Sequence, residues 1–228
     1  MEPLPNASPI PPPPGPPQRR LSSNERRRQL IRGAVGLFSR HGFSGARTKD
    51  IASACGVSEA ILFRHFATKE DLYRAILDEQ QQDSGAEAWL REMQGLAARR
   101  DDAAVIRGLV AHILKSFREN AAFHRLLLFA FLDGHVLADL FHQRQGWPTF
   151  EFLRDYFEQR QKEGAFRKRD SAVAVLFLIC ATVQYGMSRH LFGVAGLPSN
   201  DDEIAGQFAA FALEGLKRPS RKPRGARV

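Results

Sequence analysis

Residues 48–66 of the chain, TKDIASACGVSEAILFRHF, contain two short helical patterns joined at a glycine and a valine. Gly56 stands where the chain has to turn sharply, while Thr48 and Ser58 are suitable N-caps for the two helices. Helices this short are stable only when they share a core, and apolar residues recur on their facing sides. Those residues are Ile51, Ala52, Val57, Leu62 and Phe66. The segment therefore predicts a helix-turn-helix unit.

Helical periodicity continues along most of the chain, and we find no convincing alternation of period two. The preceding helix is expected to run from Asn24, as N-cap, to His41, with Gly42 ending it. The following helix is expected to begin at Thr68, with Asp71 completing a capping box. Later helices are expected near 86–98, 102–119, 121–133, 135–145, 147–163, 170–192 and 201–216. The predicted fold class is all-α, with an N-terminal three-helix helix-turn-helix domain and a C-terminal helical bundle.

The net charge of +8 is unevenly distributed. Between residues 19 and 32 six arginines oppose one acid, Glu25, and six basic residues without an acid follow Leu216. Such ends favour contact with a polyanion, although a purely solubilising role fits the charge equally well. We expect a disordered Pro-rich arm at 1–20, the helix-turn-helix domain at 21–70, a larger helical domain at 71–216 and a disordered basic tail at 217–228.

Several function classes find no support in the residues. No nucleophile–base pair, glycine-rich phosphate loop or metal-ligand spacing is recognisable, so we expect no enzyme, no cofactor and no metal site. Cys55 and Cys180 form no disulfide framework, which suits a reducing, cytoplasmic environment. The longest apolar run, 172–183, is too short to cross a bilayer and predicts a buried core helix, so no membrane partner is expected. A helical scaffold that binds proteins through the arm and the tail is the alternative.

A longer pattern surrounds the helix-turn-helix unit. It consists of Phe38-Ser39-Arg40-His41-Gly42-Phe43, Thr48, Ile51-Ala52, Ala54, Gly56-Val57-Ser58, Phe63-Arg64-His65-Phe66 and Lys69-Glu70-Asp71-Leu72. In this order and spacing, residues 24–77 closely resemble the TetR family of transcriptional regulators. One difference is Phe63, because the family often has a tyrosine there whose hydroxyl reaches a phosphate. The C-terminal part agrees with the family in length and helicity.

The resemblance implies that the helix opening at Ser58 is a recognition helix that lies in the major groove of double-stranded DNA. A solvated side chain is the alternative for each candidate contact. Residues expected at base edges are Ser58, Glu59, Ala60, Ile61 and Arg64, and those expected at phosphates, sugars or a thymine methyl are Arg47, Thr48, Phe63, His65 and Lys69. The basic segment from Arg19 to Arg32 is expected to add phosphate or minor-groove contacts.

One short recognition helix buries little surface, so we expect a homodimer and a palindromic operator. The resemblance implies a ligand-responsive repressor in which residues 71–216 form a ligand-binding and dimerisation domain and the last two long helices form the dimer interface. We expect a small apolar or aromatic effector, although plain core packing is the alternative for each aromatic residue. Candidate ligand-binding residues are Phe117, His124, Phe131, Trp147, Phe150, Phe177 and Gln184.

Overall fold

A computed structural model describes residues 21–83 and 85–217. Within these ranges every regular element is a helix, and an isolated antiparallel bridge joins Phe166 to Lys217. The predicted all-α fold class is confirmed. The disorder expected for the Pro-rich arm, and for the basic tail beyond Lys217, concerns residues outside the described ranges.

Four helices make up the N-terminal unit, close to the predicted positions. The first begins two residues earlier than predicted, because Ser22 rather than Asn24 is the N-cap. The Ser22 hydroxyl accepts from the Glu25 N–H at 3.2 Å and the Glu25 carboxylate accepts from the Ser22 N–H at 2.8 Å, which is a complete capping box. The four helices are α1 (Ser23–Gly45), α2 (Thr48–Ala54), α3 (Glu59–His65) and α4 (Lys69–Asp83).

The boundaries of these helices agree with the prediction at Gly42 and differ at Thr48. Gly42 has a non-helical backbone with φ at +67°, so the regular helix ends there as predicted, and a short helical piece continues beyond the kink to Gly45. Arg47 occupies the N-cap position of α2, so Thr48 is the first helical residue instead. The predicted capping box at the start of α4 is confirmed, because Thr68 and Asp71 exchange backbone-to-side-chain bonds of 3.1 and 3.0 Å.

The C-terminal part contains the remaining helices at the predicted places. A π-helical turn at His142–Gly146 joins the segment predicted at 135–145 to the next helix, so the two are continuous. A second π turn, Met187–Leu191, follows the long apolar helix. The helices are α5 (Ala86–Ala98), α6 (Asp102–Glu119), α7 (Ala121–Leu132), α8 (Val136–Phe141), α9 (Trp147–Lys162), α10 (Ser171–Gly186) and α11 (Asp201–Leu216).

Two apolar cores hold these helices together. The first joins α1 to α4 and also takes in α7 and α8, through residues such as Leu126, Leu127 and Leu137. The second joins α5, α6, α9, α10 and α11, with Leu109 and Phe157 fully buried in it. Because the first core contains α4 and α7, packing crosses the boundary expected at residue 70. Helix α7 therefore links the N-terminal unit to the rest of the chain.

The helix around the longest apolar run lies where it was predicted, near 170–192, and is longer than the run itself. With the second π turn it extends over Ser171–Leu191, 21 residues, and contains a stretch with a mean hydropathy of 1.7, which has the length and composition of a membrane span. Length therefore does not exclude a span, contrary to the expectation from the run 172–183. Val175 and Leu178 on one side of the helix are buried in the second core, and its other side is exposed.

Candidate nucleic-acid interface

The turn between α2 and α3 has the geometry that the sequence predicted. Cys55 ends α2, and Gly56 follows in the left-handed region at φ +66°, which favours glycine. The Val57 N–H donates to the Ala52 carbonyl at 3.0 Å, which closes the turn. Ser58 is the N-cap of α3 as predicted, although its hydroxyl makes no capping bond.

Helix α1 supports this turn from behind. The Gln29 amide donates to the Cys55 carbonyl at 3.1 Å, and a Cβ at Gly33 would lie 2.3 Å from the Cys55 sulfur. Burial raises the pKa of the Cys55 thiol, so this residue is a neutral part of the packing. The predicted core residues under the motif are buried except Val57, which is partly buried: Ile51, Ala52, Leu62 and Phe66.

One side of α3 is left open to solvent. Leu62 is the buried residue of this helix, and the Phe63 ring beside it is 43% exposed. Glu59, Ile61 and His65 are partly buried. We call the exposed residues Ser58, Ala60, Phe63 and Arg64 the α3 face. It carries the small, apolar and cationic groups that direct readout of base edges uses.

Thr48 and Glu59 are bonded to each other. The Thr48 hydroxyl at the start of α2 donates to the Glu59 carboxylate at the start of α3. This bond joins the first turns of both helices and draws the one acid of α3 toward α2. The sequence placed each residue separately against DNA and did not predict their pairing.

Cations flank the α3 face on two sides. Lys69 lies at the start of α4 with its ammonium 4.4 Å from the centre of the Phe43 ring, and partial burial lowers its pKa. Arg27 of α1 donates to the His65 carbonyl at 3.2 Å and lies over the Phe66 ring. Arg47 is exposed. Arg27 was predicted only as part of a basic segment, because its contacts join residues 38 positions apart.

The seven candidate ligand-binding residues are not brought together around one cavity. Phe117 is buried and stacks on His124 at 3.9 Å, where burial lowers the pKa of His124 to about 4. Trp147 stacks on Phe150 at 5.2 Å but is 55% exposed. The others lie on the surface: Phe131, Phe177 and Gln184.

Two cavities lie elsewhere in the described part of the chain. An apolar one of about 250 Å³ lies between α1 and α7, lined by Ser39, Arg40, Leu128 and Leu132 among others. A polar one of about 580 Å³ lies at the second π turn and the start of α11. Within the described residues, no group of three or more His, Cys, Asp or Glu side chains could hold a metal ion.

Comparison with known proteins fits this geometry. Residues 30–76 match the sequence profile of bacterial regulatory proteins of the tetR family, so the resemblance is confirmed over the helix-turn-helix unit. No curated protein sequence matches the chain.

Solved structures share the fold over most of the chain. AibR in complex with isovaleryl coenzyme A and operator DNA is 20% identical, with a TM-score of 0.64, and covers 82% of this chain and 97% of its own. The ketosteroid regulator KstR2 of Mycobacterium tuberculosis is 19% identical, with a TM-score of 0.57, covering 87% and 98%. The fatty acid degradation regulator FadR of Bacillus halodurans is 16% identical, with a TM-score of 0.59, covering 86% and 97%. The shared architecture extends well beyond the helix-turn-helix unit.

Proposed function

We propose that this chain is a homodimeric transcriptional repressor that binds a palindromic operator and is released from it by a small-molecule effector. The observation that carries the proposal is the α3 face, which is exposed, backed by a buried core and flanked by cations. A surface built in this way fits the major groove of duplex DNA.

In this proposal, α3 reads bases while its neighbours hold the phosphates. Arg64 forks onto a guanine, and Ala60 and Ile61 contact a thymine methyl. Phe63 packs on sugar or a methyl group, because it lacks the hydroxyl of a tyrosine. Phosphate contacts fall to Arg47, Thr48, His65 and Lys69, while Ser58 and Glu59 border the base edges.

The dimer is supported by an exposed apolar surface on α10. Val173, Leu176, Phe177, Cys180 and Gln184 are exposed and recur at helical spacing; we call them the α10 stripe. The Phe177 ring is 73% exposed, and Phe211 on α11 is 67% exposed. Exposed apolar surface of this kind is typical of a protein interface. A second copy of the chain covers it in the proposed dimer.

The effector acts by shifting a conformational equilibrium. Suppose that a ligand binds the state with low DNA affinity about 100-fold more tightly than the state with high DNA affinity. That ratio corresponds to a coupling free energy of about 2.7 kcal/mol. Helix α7 is suited to transmit the change, since it packs in the first core against α1. The AibR structure, which holds both a ligand and operator DNA, supports a fold that can couple the two.

The test begins with selection of bound fragments from a random duplex library by the full chain. We expect an enriched palindrome whose two half-sites are separated by about one helical turn. On that operator, Arg64→Ala should cost about 1–3 kcal/mol and relax specificity at one position of each half-site. Lys69→Ala should weaken binding to all duplexes alike and reduce the slope of log affinity against log salt by about one per half-site.

Arg107→Ala is the matched control, because Arg107 is exposed on α6, far along the chain from the motif. Its affinity and salt slope should equal those of the wild type. If the wild-type chain shows no preference among duplexes even at low ionic strength, the regulator assignment is wrong, and a helical protein-binding scaffold becomes the better explanation.

A further inference from the structure

The Lys69 side chain at the start of α4 lies against aromatic rings. Its ammonium is 4.4 Å from the centre of the Phe43 ring and 5.9 Å from the centre of the Phe38 ring. A cation over a ring face is attracted to it, and more strongly where it is partly buried, as Lys69 is. Lys69 makes no hydrogen bond or ion pair with any residue of 21–83 or 85–217, so its N–H donors are available to a further group.

These rings belong to a cluster that three segments of the chain build together. Phe38 and Phe43 come from α1, on either side of the kink at Gly42. Tyr73 comes from α4 and is fully buried, with its ring 5.0 Å from Phe43 and 4.7 Å from His135, between ring centres. His135, between α7 and α8, lies 4.4 Å from Phe43. We call Phe38, Phe43, Tyr73 and His135 the aromatic cluster.

His135 is the member of the cluster that the larger domain contributes. It is the N-cap of α8, and its Nδ1 accepts from the Leu137 N–H at 3.3 Å, a bond that needs the lone pair of Nδ1. Burial lowers the pKa of His135, and the neighbouring carboxylates oppose that shift. The charged groups that act on the ring are Lys69, Glu70 and Arg74 of α4 and Asp133 at the end of α7.

We propose that Phe43 and His135 are positioning residues for the contact of Lys69 with a DNA phosphate, and that protonation of His135 loosens Lys69 from the Phe43 ring. The ring restricts the lysine side chain before DNA binds, so less rotamer entropy is lost when a phosphate is bound. A protonated His135 places a second cation beside the same ring, and the two cations repel each other. The DNA contact is thereby linked to the turn between α7 and α8. The role in DNA binding rests on the proposed function, whereas the position of Lys69 does not.

The position of Lys69 is tested on the full chain without DNA, by NMR of the Lys69 ε-CH₂ group. Protons over a ring face are shielded, so this signal should lie upfield of those of exposed lysines. The upfield shift should be lost in Phe43→Leu and kept in Phe43→Trp, which retains a ring face. It should diminish as pH falls from about 7.5 to about 5 in the wild type but not in His135→Gln.

The role in DNA binding is tested by a double-mutant cycle on random duplex at low salt. Phe43→Leu should weaken binding about three- to tenfold, which is the strength of a partly buried cation–π contact. In a Lys69→Ala chain the same substitution should change binding by less than about twofold, because the ammonium that Phe43 positions is gone. Phe43→Trp should bind within about twofold of the wild type.

Phe152→Leu is the matched control, because Phe152 is a partly buried ring packed against the second core. It should leave the Lys69 signal and duplex binding unchanged. The proposal is overturned if the Lys69 signal is not shifted upfield, if Phe43→Leu or pH leaves that shift unchanged, or if Phe43→Leu and Lys69→Ala weaken binding additively. Random duplex is bound through its phosphates. A chain without sequence preference would therefore contradict the proposed operator and still give a result for the aromatic cluster.

Discussion

Helices α3 and α10 both leave one side uncovered by the two cores, but the uncovered sides differ in chemistry. Helix α3 has seven residues, and its exposed side carries a serine, an alanine and Arg64 beside Phe63. Helix α10 has 16 residues, and its exposed side carries mainly apolar groups such as Leu176 and Phe177. The polar side suits a charged duplex, and the apolar side suits another protein surface.

The comparison shows how each helix depends on its neighbours. A helix as short as α3 is not stable alone, so its position is set by the packing of Leu62 and by the bonds from α1 and α2. Helix α10 is anchored firmly by the second core, but its stripe remains costly to expose. The α3 face can therefore remain exposed until DNA binds, whereas the α10 stripe favours a permanent protein partner.

The largest expected effect concerns the apolar α10 stripe and its proposed role as the dimer surface. Phe177→Glu places a charge in the centre of the α10 stripe, and in a twofold dimer it introduces two. We expect the dimer dissociation constant to rise about a thousandfold, or about 4 kcal/mol, because charges buried without partners repel the association. Sedimentation velocity should show a folded monomer that binds the operator much more weakly.

Gln94→Glu adds the same charge to the exposed side of α5 and serves as the control. It should sediment and bind like the wild type. A Phe177→Glu chain that sediments as a dimer would show that the α10 stripe is not the dimer surface, and its exposed apolar groups would need another partner.

Much of the fold could be predicted, because periodicity and caps act locally. The glycine turn, the cap at Ser58 and the capping box at Thr68 depend on neighbours within four residues, and all three are present. Side-chain packing between distant segments could not be predicted in the same way. The bend of α1 at Gly42 coincides with its packing against Phe129 of α7, a contact that no local pattern encodes.

The candidate sites differ in the same respect. The candidates on α3 came from the resemblance together with helical spacing. Ser58, Ala60, Phe63 and Arg64 are exposed, whereas Glu59 and Ile61 are partly buried. Aromatic side chains that line a cavity could not be identified in this way, because the number of rings does not say which side of a helix faces inward. Phe177 was expected in a pocket and lies on the α10 stripe, while Arg189 and Asp201, which line the polar cavity, were not predicted as ligand-binding residues.

The next effect tests the contact between α6 and α7, where His124 of α7 stacks on Phe117 of α6. Burial lowers the pKa of His124 from an ordinary 6.5 to about 4, so the folded protein keeps the ring neutral where the unfolded chain takes up a proton. Stability should therefore be lost as pH falls from about 6.5 toward about 4. Between about pH 7.5 and pH 5 this amounts to about 2 kcal/mol in the free energy of unfolding.

Urea unfolding of wild type and His124→Gln at both pH values gives the measurement. Burial also lowers the pKa of His112 and His135, so the variant should reduce the pH dependence without abolishing it. Equal pH dependence in both chains would mean that His124 is not held neutral at the contact between α6 and α7, and that these helices are less tightly packed there.

The smallest expected effect concerns the DNA-facing side of α3. Glu59→Gln removes the one acid of α3 but keeps an oxygen that can accept from the Thr48 hydroxyl. Affinity for random duplex at low salt should rise about two- to fivefold, because a carboxylate near the phosphates repels them by a fraction of a kcal/mol. The free energy of unfolding should change little, since the bond between α2 and α3 is retained.

Filter binding to random duplex over a salt series, with Gln94→Glu as the reference for a charge change far from the motif, gives the measurement. The advantage of Glu59→Gln should shrink as salt rises, because exposed charges are screened. Unchanged or weaker binding at every salt concentration would place Glu59 away from the phosphates. The Thr48–Glu59 bond would then serve only to join the two helices.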